Sequence, residues 1–371
     1  MVATLRSYAP IGVAVALLSL VPLWFHDSRS MMVVITTGLL FACYAIAFNL
    51  IFGSTGQLFL CVGALAGIGG FGSAILSERV GLPFLLSMPL AALVAGAFGA
   101  LLSWVAVRRS LDTIFIGIVT LAFSLSFENL VLGLQSLTGG ENGLRISAGS
   151  ETIVGRQVTP YYVFLALVAA YLIVYRLIQR SHIGWAFKAL RDDEVAAELA
   201  GVDVARYRVL AGFIGSVMLG FAGGLFAHYR GFIGDSTFAF GNVDVRVLVM
   251  VALGGIGSLL GPVLGATVFT IVDELLVDYA QLREVMYGVV TVVLFLSFRQ
   301  GAVPAITGLF RRNTEPTRPP FSAVPGSSPD RSQHEVRNPL NFRGRSRLGK
   351  RLSARPPGTG PNSSLRLLDR G

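Results

Sequence analysis

Two apolar runs, Met31–Phe52 and Leu82–Val107, contain no charged residue and are each long enough to cross a bilayer. A spanning helix takes about 20 such residues. Lipid offers no water to the backbone, so each N–H and C=O must be satisfied inside its own segment, and an open strand edge cannot survive there. The chain is thereby confined to an all-α integral membrane fold. Composition agrees: 53% of the 371 residues are hydrophobic and 14% are charged, against about a quarter charged in a soluble domain. The same reading along the chain predicts a polytopic bundle of ten helical spans. They fall at 11–25, 31–52, 57–77, 82–107, 113–134, 160–179, 209–229, 246–256 (a short one), 262–277 and 285–299. No small-residue cleavage site follows Ile11–Phe25, so this run reads as a first span and not as a removable leader.

Charge divides the chain into two domains. Residues 311–371 hold 13 Lys and Arg against 4 Asp and Glu, whereas residues 1–310 hold 17 of each. The net charge of +9 therefore belongs to a Pro-, Gly-, Ser- and Arg-rich tail, expected to be disordered, beyond an electrically balanced membrane domain at 1–310. Such a tail attracts anionic lipid or RNA without a specific nucleic-acid site. Arg108, Arg109, Arg180, Lys188, Arg191, Arg206 and Arg208 lie in loops that fall on one side of the membrane. Basic loops stay in the cytoplasm, which puts both termini there too and the loops at 26–30, 78–81, 135–159 and 230–245 outside.

Glycine supplies the next signal. Gly53, Gly56, Gly63, Gly67, Gly69, Gly70 and Gly72 crowd the third span, and Gly254, Gly255, Gly257, Gly261 and Gly265 with Pro262 crowd a later one. Small residues let helices approach closely in lipid. The run GGIGSLLGP should also interrupt its helix at Gly254, Gly255 and Gly257, and broken helices line substrate paths. Polar residues beside the breaks are candidates for meeting a small polar solute. Asn49, Gln57, Thr138 and Asn142 are these candidates, with a turn role equally open for Thr138 and Asn142.

The loop 180–208 contains WAFKALRDDEVAAELAG, Trp185–Gly201, a polar segment between apolar spans. Trp185, Phe187, Leu190 and Val195 can line one side of a single helix that docks on a partner, with Gly201 as its stop. Elsewhere the chemistry runs out. Gly344–Arg351 imitates a phosphate loop but lacks the Ser or Thr for Mg²⁺ and lies in the tail. Cys43, Cys61 and four scattered histidines show no metal spacing, and no catalytic triad or dinucleotide pattern is present. Glu128 reads as the only acid well inside a span. The chain is expected to be neither an enzyme nor a cofactor carrier.

Five blocks, in order, resemble the M-type permease subunit of branched-chain amino-acid ABC importers over roughly residues 30–300. Asn49-Leu50-Ile51-Phe52-Gly53 with Gly56-Gln57-Leu58 is similar to that family's NL-x-x-G and GQ motif. Ile118–Phe123 follows, then Thr138–Leu144, similar to its TGG-x-NG loop. Arg191–Glu198 is similar to its coupling segment, and Leu253–Ser258 with Gly261–Ala266 is the fifth block. Ala196, Ala197 and Gly201 fit the importer coupling pattern EAA-x-x-x-G, but Val195 stands at the acid's place and Glu194 sits one residue early. Phe59 and Val62 stand where the family has Ser and a polar residue, departures that bear on amino-acid selectivity and not on transporter class.

The resemblance implies a permease in the bacterial inner membrane. Its partners would be a homologous second permease, two cytoplasmic ATP-binding subunits that hold the ATP, a periplasmic solute-binding protein, the solute and membrane lipid. Trp185, Arg191, Glu194, Ala196, Ala197 and Gly201 would couple to the ATPase. Urea, a short amide or another small polar solute is the alternative cargo. A gradient-driven carrier using Glu128 and a scaffold acting through the tail are the rivals from other classes.

Overall fold

The computed structural model describes residues 2–22, 28–146, 158–276 and 288. The expected span at 285–299 and the tail 311–371 lie outside these residues. The described chain is helical apart from one antiparallel pair of two-residue strands.

Helix α1 is Val2–Ser19. Helix α2, Arg29–Phe48, starts where the Ser28 side chain accepts the Met31 N–H and runs into a π-turn at Asn49–Gly53. The chain is non-helical at Gln57–Cys61 before α3, Val62–Val80, which ends at the left-handed Gly81. Pro83 introduces α4, Phe84–Arg108, and Asp112 caps α5, Thr113–Gly133. The short α6, Gln135–Thr138, leads to a 3₁₀ turn at Gly140–Asn142 and strand β1, Leu144–Arg145. Helix α7 is Thr159–Arg180, with Pro160 in its first turn. Two short helices follow, α8 His182–Asp192 and α9 Glu194–Leu199. Helix α10, Val204–Arg230, leads into β2, Phe232–Ile233. After a 3₁₀ turn at Asp235–Phe238 come α11, Phe240–Gly254, and α12, Gly261–Leu275.

Six helical stretches are long and apolar enough to cross a membrane: Arg29–Gly53, Phe84–Arg108, Thr113–Gly133, Thr159–Arg180, Val204–Arg230 and Asp235–Gly254. This count, made among the described residues, makes the chain a multi-pass membrane protein and does not confirm ten spans. The differences have local causes. The third expected span begins with non-helical backbone at 57–61, and the ninth is a helix of 15 residues. The eighth begins before residue 246: its helix starts at Phe240 and takes in Asp244, an acid in the stretch 230–245 that read as loop.

Helix α10 is the axis of the bundle, packed on α4, α3 and α2, while α2 also meets α7, α11 and α12. Glycine explains the closeness. A methyl on Gly69 would collide with the Gly220 carbonyl, and one on Gly223 with the Ala66 carbonyl, so α3 and α10 touch backbone to backbone. The buried aromatic and aliphatic residues around Tyr44, Phe48, Leu65, Phe164 and Leu219 form one continuous core.

Candidate functional site: two helix breaks and a connecting segment

The break after α2 and the break between α11 and α12 are far apart in sequence and in contact in space. Asn49, fully buried, ties them. Its Oδ1 accepts the Gly257 N–H at 2.7 Å, and its Nδ2 donates to the Ser258 carbonyl at 2.9 Å and to Tyr175 Oη on α7 at 3.1 Å. The break itself requires glycine. Helix α11 stops at Gly254, Gly255 lies at φ 102° and Gly257 at φ 79°, values that side chains resist. A methyl on Gly254 would collide with the Gly261 carbonyl across the turn.

Gln57 holds the first break from the other side. It is buried, and its Nε2 donates to Thr55 Oγ1 at 3.1 Å and to the Arg208 carbonyl at 3.0 Å. Its Oε1 is buried without a hydrogen-bond partner, as is Arg208 Nε. Thr120 of α5 steadies the non-helical stretch, accepting the Leu60 N–H at 2.9 Å. Backbone leaves helical geometry inside a membrane only where such groups answer its polar atoms.

The connecting segment between α7 and α10 grips both breaks. Arg191 Nη1 donates to the Gly53 carbonyl at 2.7 Å and lies against Gly257. That carbonyl closes the helical run from α2, so the guanidinium also meets the negative end of the helix dipole. Glu194 forms a two-armed ion pair with Arg208, 2.8 Å on each arm, and the Arg208 backbone holds Gln57. A cavity of about 370 Å³ lies where the segment meets the breaks, lined among others by Gly53, Arg176, Trp185, Lys188, Arg191 and Gly257. Its guanidinium and ammonium groups outnumber its single carboxylate, Asp192.

The segment is not the single helix expected over 185–201. Asp193 is extended, at φ −160° and ψ 111°, ending α8 and capping α9 through the Ala196 N–H at 3.0 Å. An Asp prefers to cap, and competes with the helix it would otherwise continue. The break turns the segment's apolar side chains to different places. Phe187 and Leu190 are buried, whereas Trp185 and Val195 are 70% and 67% exposed. Ala197 faces inward, packed with Leu190 and Val204 in a small core of its own, and Ala196 lies outside it. Gly201 ends the segment at φ 85° with open space around it.

Thr138 is buried in the turn after α5, donating to the Val131 carbonyl at 2.6 Å and accepting the Gly140 N–H at 3.2 Å. Asn142 lies exposed in the following 3₁₀ turn. The structure brings neither to the breaks. It adds a residue that sequence reading passed over: Asp244, only 1% exposed and inside the span Asp235–Gly254. Glu128 is therefore not the only acid within a span. The signal was present in FGNVDVRVLVM, an acid at the head of an apolar run, and was lost when the span was begun at residue 246, two residues past Asp244. Among the described residues no group of three or more His, Cys, Asp and Glu is placed to hold a metal ion.

Two broken helices joined at their turns and held by a polar segment are an arrangement that membrane transport proteins use. Residues 30–298 match the family described as branched-chain amino acid transport system / permease component. The chain is 31% identical over 318 residues to the high-affinity branched-chain amino acid transport system permease protein LivM of Escherichia coli K12, covering 78% of this chain and 74% of that one. It is 30% identical over 260 residues to the autoinducer 2 import system permease protein LsrC of an Enterobacter species, covering 65% and 71%. The permease protein LivH of Escherichia coli K12 is 26% identical over 261 residues, covering 65% and 83%. No solved structure matches. The chain belongs to this permease family, as a permease subunit of an ABC importer.

Proposed function

We propose that this permease carries branched-chain amino acids across the bacterial inner membrane, as the M-type half of a pair with a homologous second permease. Two cytoplasmic ATPases supply the energy, since the ATP is theirs, and a periplasmic binding protein delivers the solute. Both termini and the connecting segment lie on the cytoplasmic side, and ten spans cross the membrane. The observation that carries the reading is the double grip of the connecting segment, Arg191 on Gly53 and Glu194 through Arg208 on Gln57. A movement imposed on the segment by ATPase closure reaches both helix breaks at once. Trp185, Val195 and Leu199 are its exposed apolar groups and meet the ATPase. Nucleotide and loaded binding protein shift the permease between outward- and inward-open states by their differential affinity for them.

The binding protein need not hold an amino acid. Phe59 and Val62 are both fully buried at the re-entrant stretch where the family has polar residues, and this favours, as a second reading, another small polar solute. The test is uptake of labelled leucine into liposomes holding the complete complex. Dependence on internal ATP and on binding protein supports the proposal. Uptake by this chain alone, driven by a proton or sodium gradient, overturns it.

A further inference from the structure

Asp244 is the buried charge that the coupling scheme does not use. It sits in α11 beside the start of α3 and is all but inaccessible. Both its oxygens accept from the Gly63 N–H at 3.3 Å, and Oδ2 accepts from the Ser124 hydroxyl of α5 at 3.3 Å. These donors are neutral and their contacts are long. The ion pairs found among the described residues, Arg208–Glu194 and Arg246–Asp273, leave Asp244 out. An acid inside a membrane is costly and faces a partner or a path. Among the described residues it is answered by the first turn of α3 and a hydroxyl, and by no ion pair.

The surroundings suit a cation that carries apolar surface. Ser124 belongs to a stripe with Thr120 and Glu128, spaced four residues apart on one face of α5, and such residues stack along a helix. Thr120 reaches the non-helical stretch at the first helix break, where its hydroxyl donates to the Leu58 carbonyl at 3.3 Å. The stripe thus runs past the carboxylate to the break. On the other side stands Phe238, whose carbonyl lies over Gly63 and whose ring meets Phe71 at 6.0 Å and Phe226 at 6.3 Å between centroids. Phe127 joins Phe71 at 6.5 Å. The Phe238 carbonyl and the Asp244 carboxylate, both lying over Gly63, are two acceptors that one ammonium group can meet together.

We propose that Asp244 is the specificity-determining residue of the transport path, receiving the ammonium group of the solute when the Phe238 turn moves aside. The assignment rests on the permease reading above and sharpens it, because it requires an amine and disfavours urea, amides and anions. The competing role is that of a cap for the α3 N–H groups. The two roles order substitutions oppositely. A cap needs an acceptor of the same shape, which Asp244→Asn keeps; a counter-charge needs a carboxylate, which Asp244→Glu keeps.

The experiment compares leucine uptake by the complete importer in liposomes for wild type, Asp244→Asn and Asp244→Glu, with complex assembly measured alongside. Asp244→Asn is expected to assemble normally and to lose uptake by at least about tenfold, as for a desolvated charge deprived of its partner. Asp244→Glu is expected to retain more uptake than Asp244→Asn. Wild-type uptake in Asp244→Asn, its failure to assemble, or less uptake in Asp244→Glu than in Asp244→Asn would overturn the assignment. A wild-type complex that moves only amine-free solutes under ATP would also overturn it, while leaving the importer reading intact. ATP-independent uptake by the chain alone would remove that reading.

Discussion

The α3–α10 contact and the connecting segment 182–203 are held by opposite means. In the first, Gly69, Gly220 and Gly223 bring two backbones together so closely that no methyl fits. The second is tied to the bundle by the polar links of Arg191 and Glu194, by Phe187 in the main core, and by a small core that Leu190 and Ala197 form with Val204 of α10. Close packing of this kind has no low-energy alternative, because a packed interior deforms poorly. The segment's polar links, by contrast, are single contacts, one of them joining the half-exposed Glu194 to an Arg208 side chain only 10% exposed, and a single contact can break and reform where a packed interior cannot. The difference separates what must stay fixed during transport from what can move.

The largest effect is expected at the packed contact. Gly223→Val puts a branched side chain into the Ala66 carbonyl, and overpacking costs about 1–3 kcal/mol or more where the backbone must shift. The variant should fail to give a monodisperse complex in size-exclusion chromatography. Gly241→Ala, with nothing within 4 Å of its added methyl, should behave as wild type. Equal behaviour of the two would erase the distinction between the regions.

Asn49→Leu comes next. It removes the partner of the Gly257 N–H and of the Ser258 carbonyl, and leaving a buried polar group unsatisfied costs about 1–3 kcal/mol. The protein should still insert, with a lowered Tm and uptake abolished. Unchanged uptake would mean that the union of the two breaks is incidental.

A smaller loss of stability is expected for Arg191→Met and Glu194→Gln, about 1 kcal/mol or less each. Both should leave basal ATPase activity of the complex intact while uptake falls. Because Arg191 reaches Gly53 and Gly257 directly whereas Glu194 reaches Gln57 through Arg208, the two links share no side chain and their effects on uptake should add when combined, in contrast to neighbours sharing one network. A double variant no worse than the single ones would show one link and not two.

The smallest loss of uptake is expected at Gly201. A β-branched residue at φ 85° is strained by roughly 1–3 kcal/mol, yet its surroundings are open. Gly201→Val should insert normally and lower uptake, and Gly201→Asn should restore much of it, since Asn tolerates the left-handed region. Failure of Gly201→Asn to recover would place the defect in contacts and not in backbone strain. Ala197→Glu, by comparison, tests the small core and not a docking face, because Ala197 points into the segment's own interior.

Periodic apolar runs and glycine pairs are local properties, and they made the helical class, the crowded third span and the interruption at GGIGSLLGP legible. The signal at Gly201 was local in the same sense: a left-handed residue after a helix is a short-range matter. Span limits were less legible where charge enters the membrane. Asp244 and Arg246 lie within a helix because Gly63, Ser124 and Asp273 meet them there, and those partners are distant in sequence. The break at Asp193 was likewise obscured, since a capping Asp and a helical Asp are written alike.

Residue types and their spacing determined that this chain lives in a membrane, spans it with helices, breaks two of them at glycine and carries a polar segment between spans. These follow from solvent, backbone hydrogen bonding and chain geometry, none of which depends on knowing the neighbours. Only the tertiary structure decided that Asn49 joins the two breaks, that Arg191 and Glu194 hold the first of them by separate routes, and that Ala197 turns inward while Trp185 faces out. Asn49 and Gly257, Arg191 and Gly53, and Gln57 and Arg208 meet across more than 100 residues of intervening chain. In a membrane interior a polar atom without a partner is costly, so its role is assigned by the partner it meets and not by its place in the sequence.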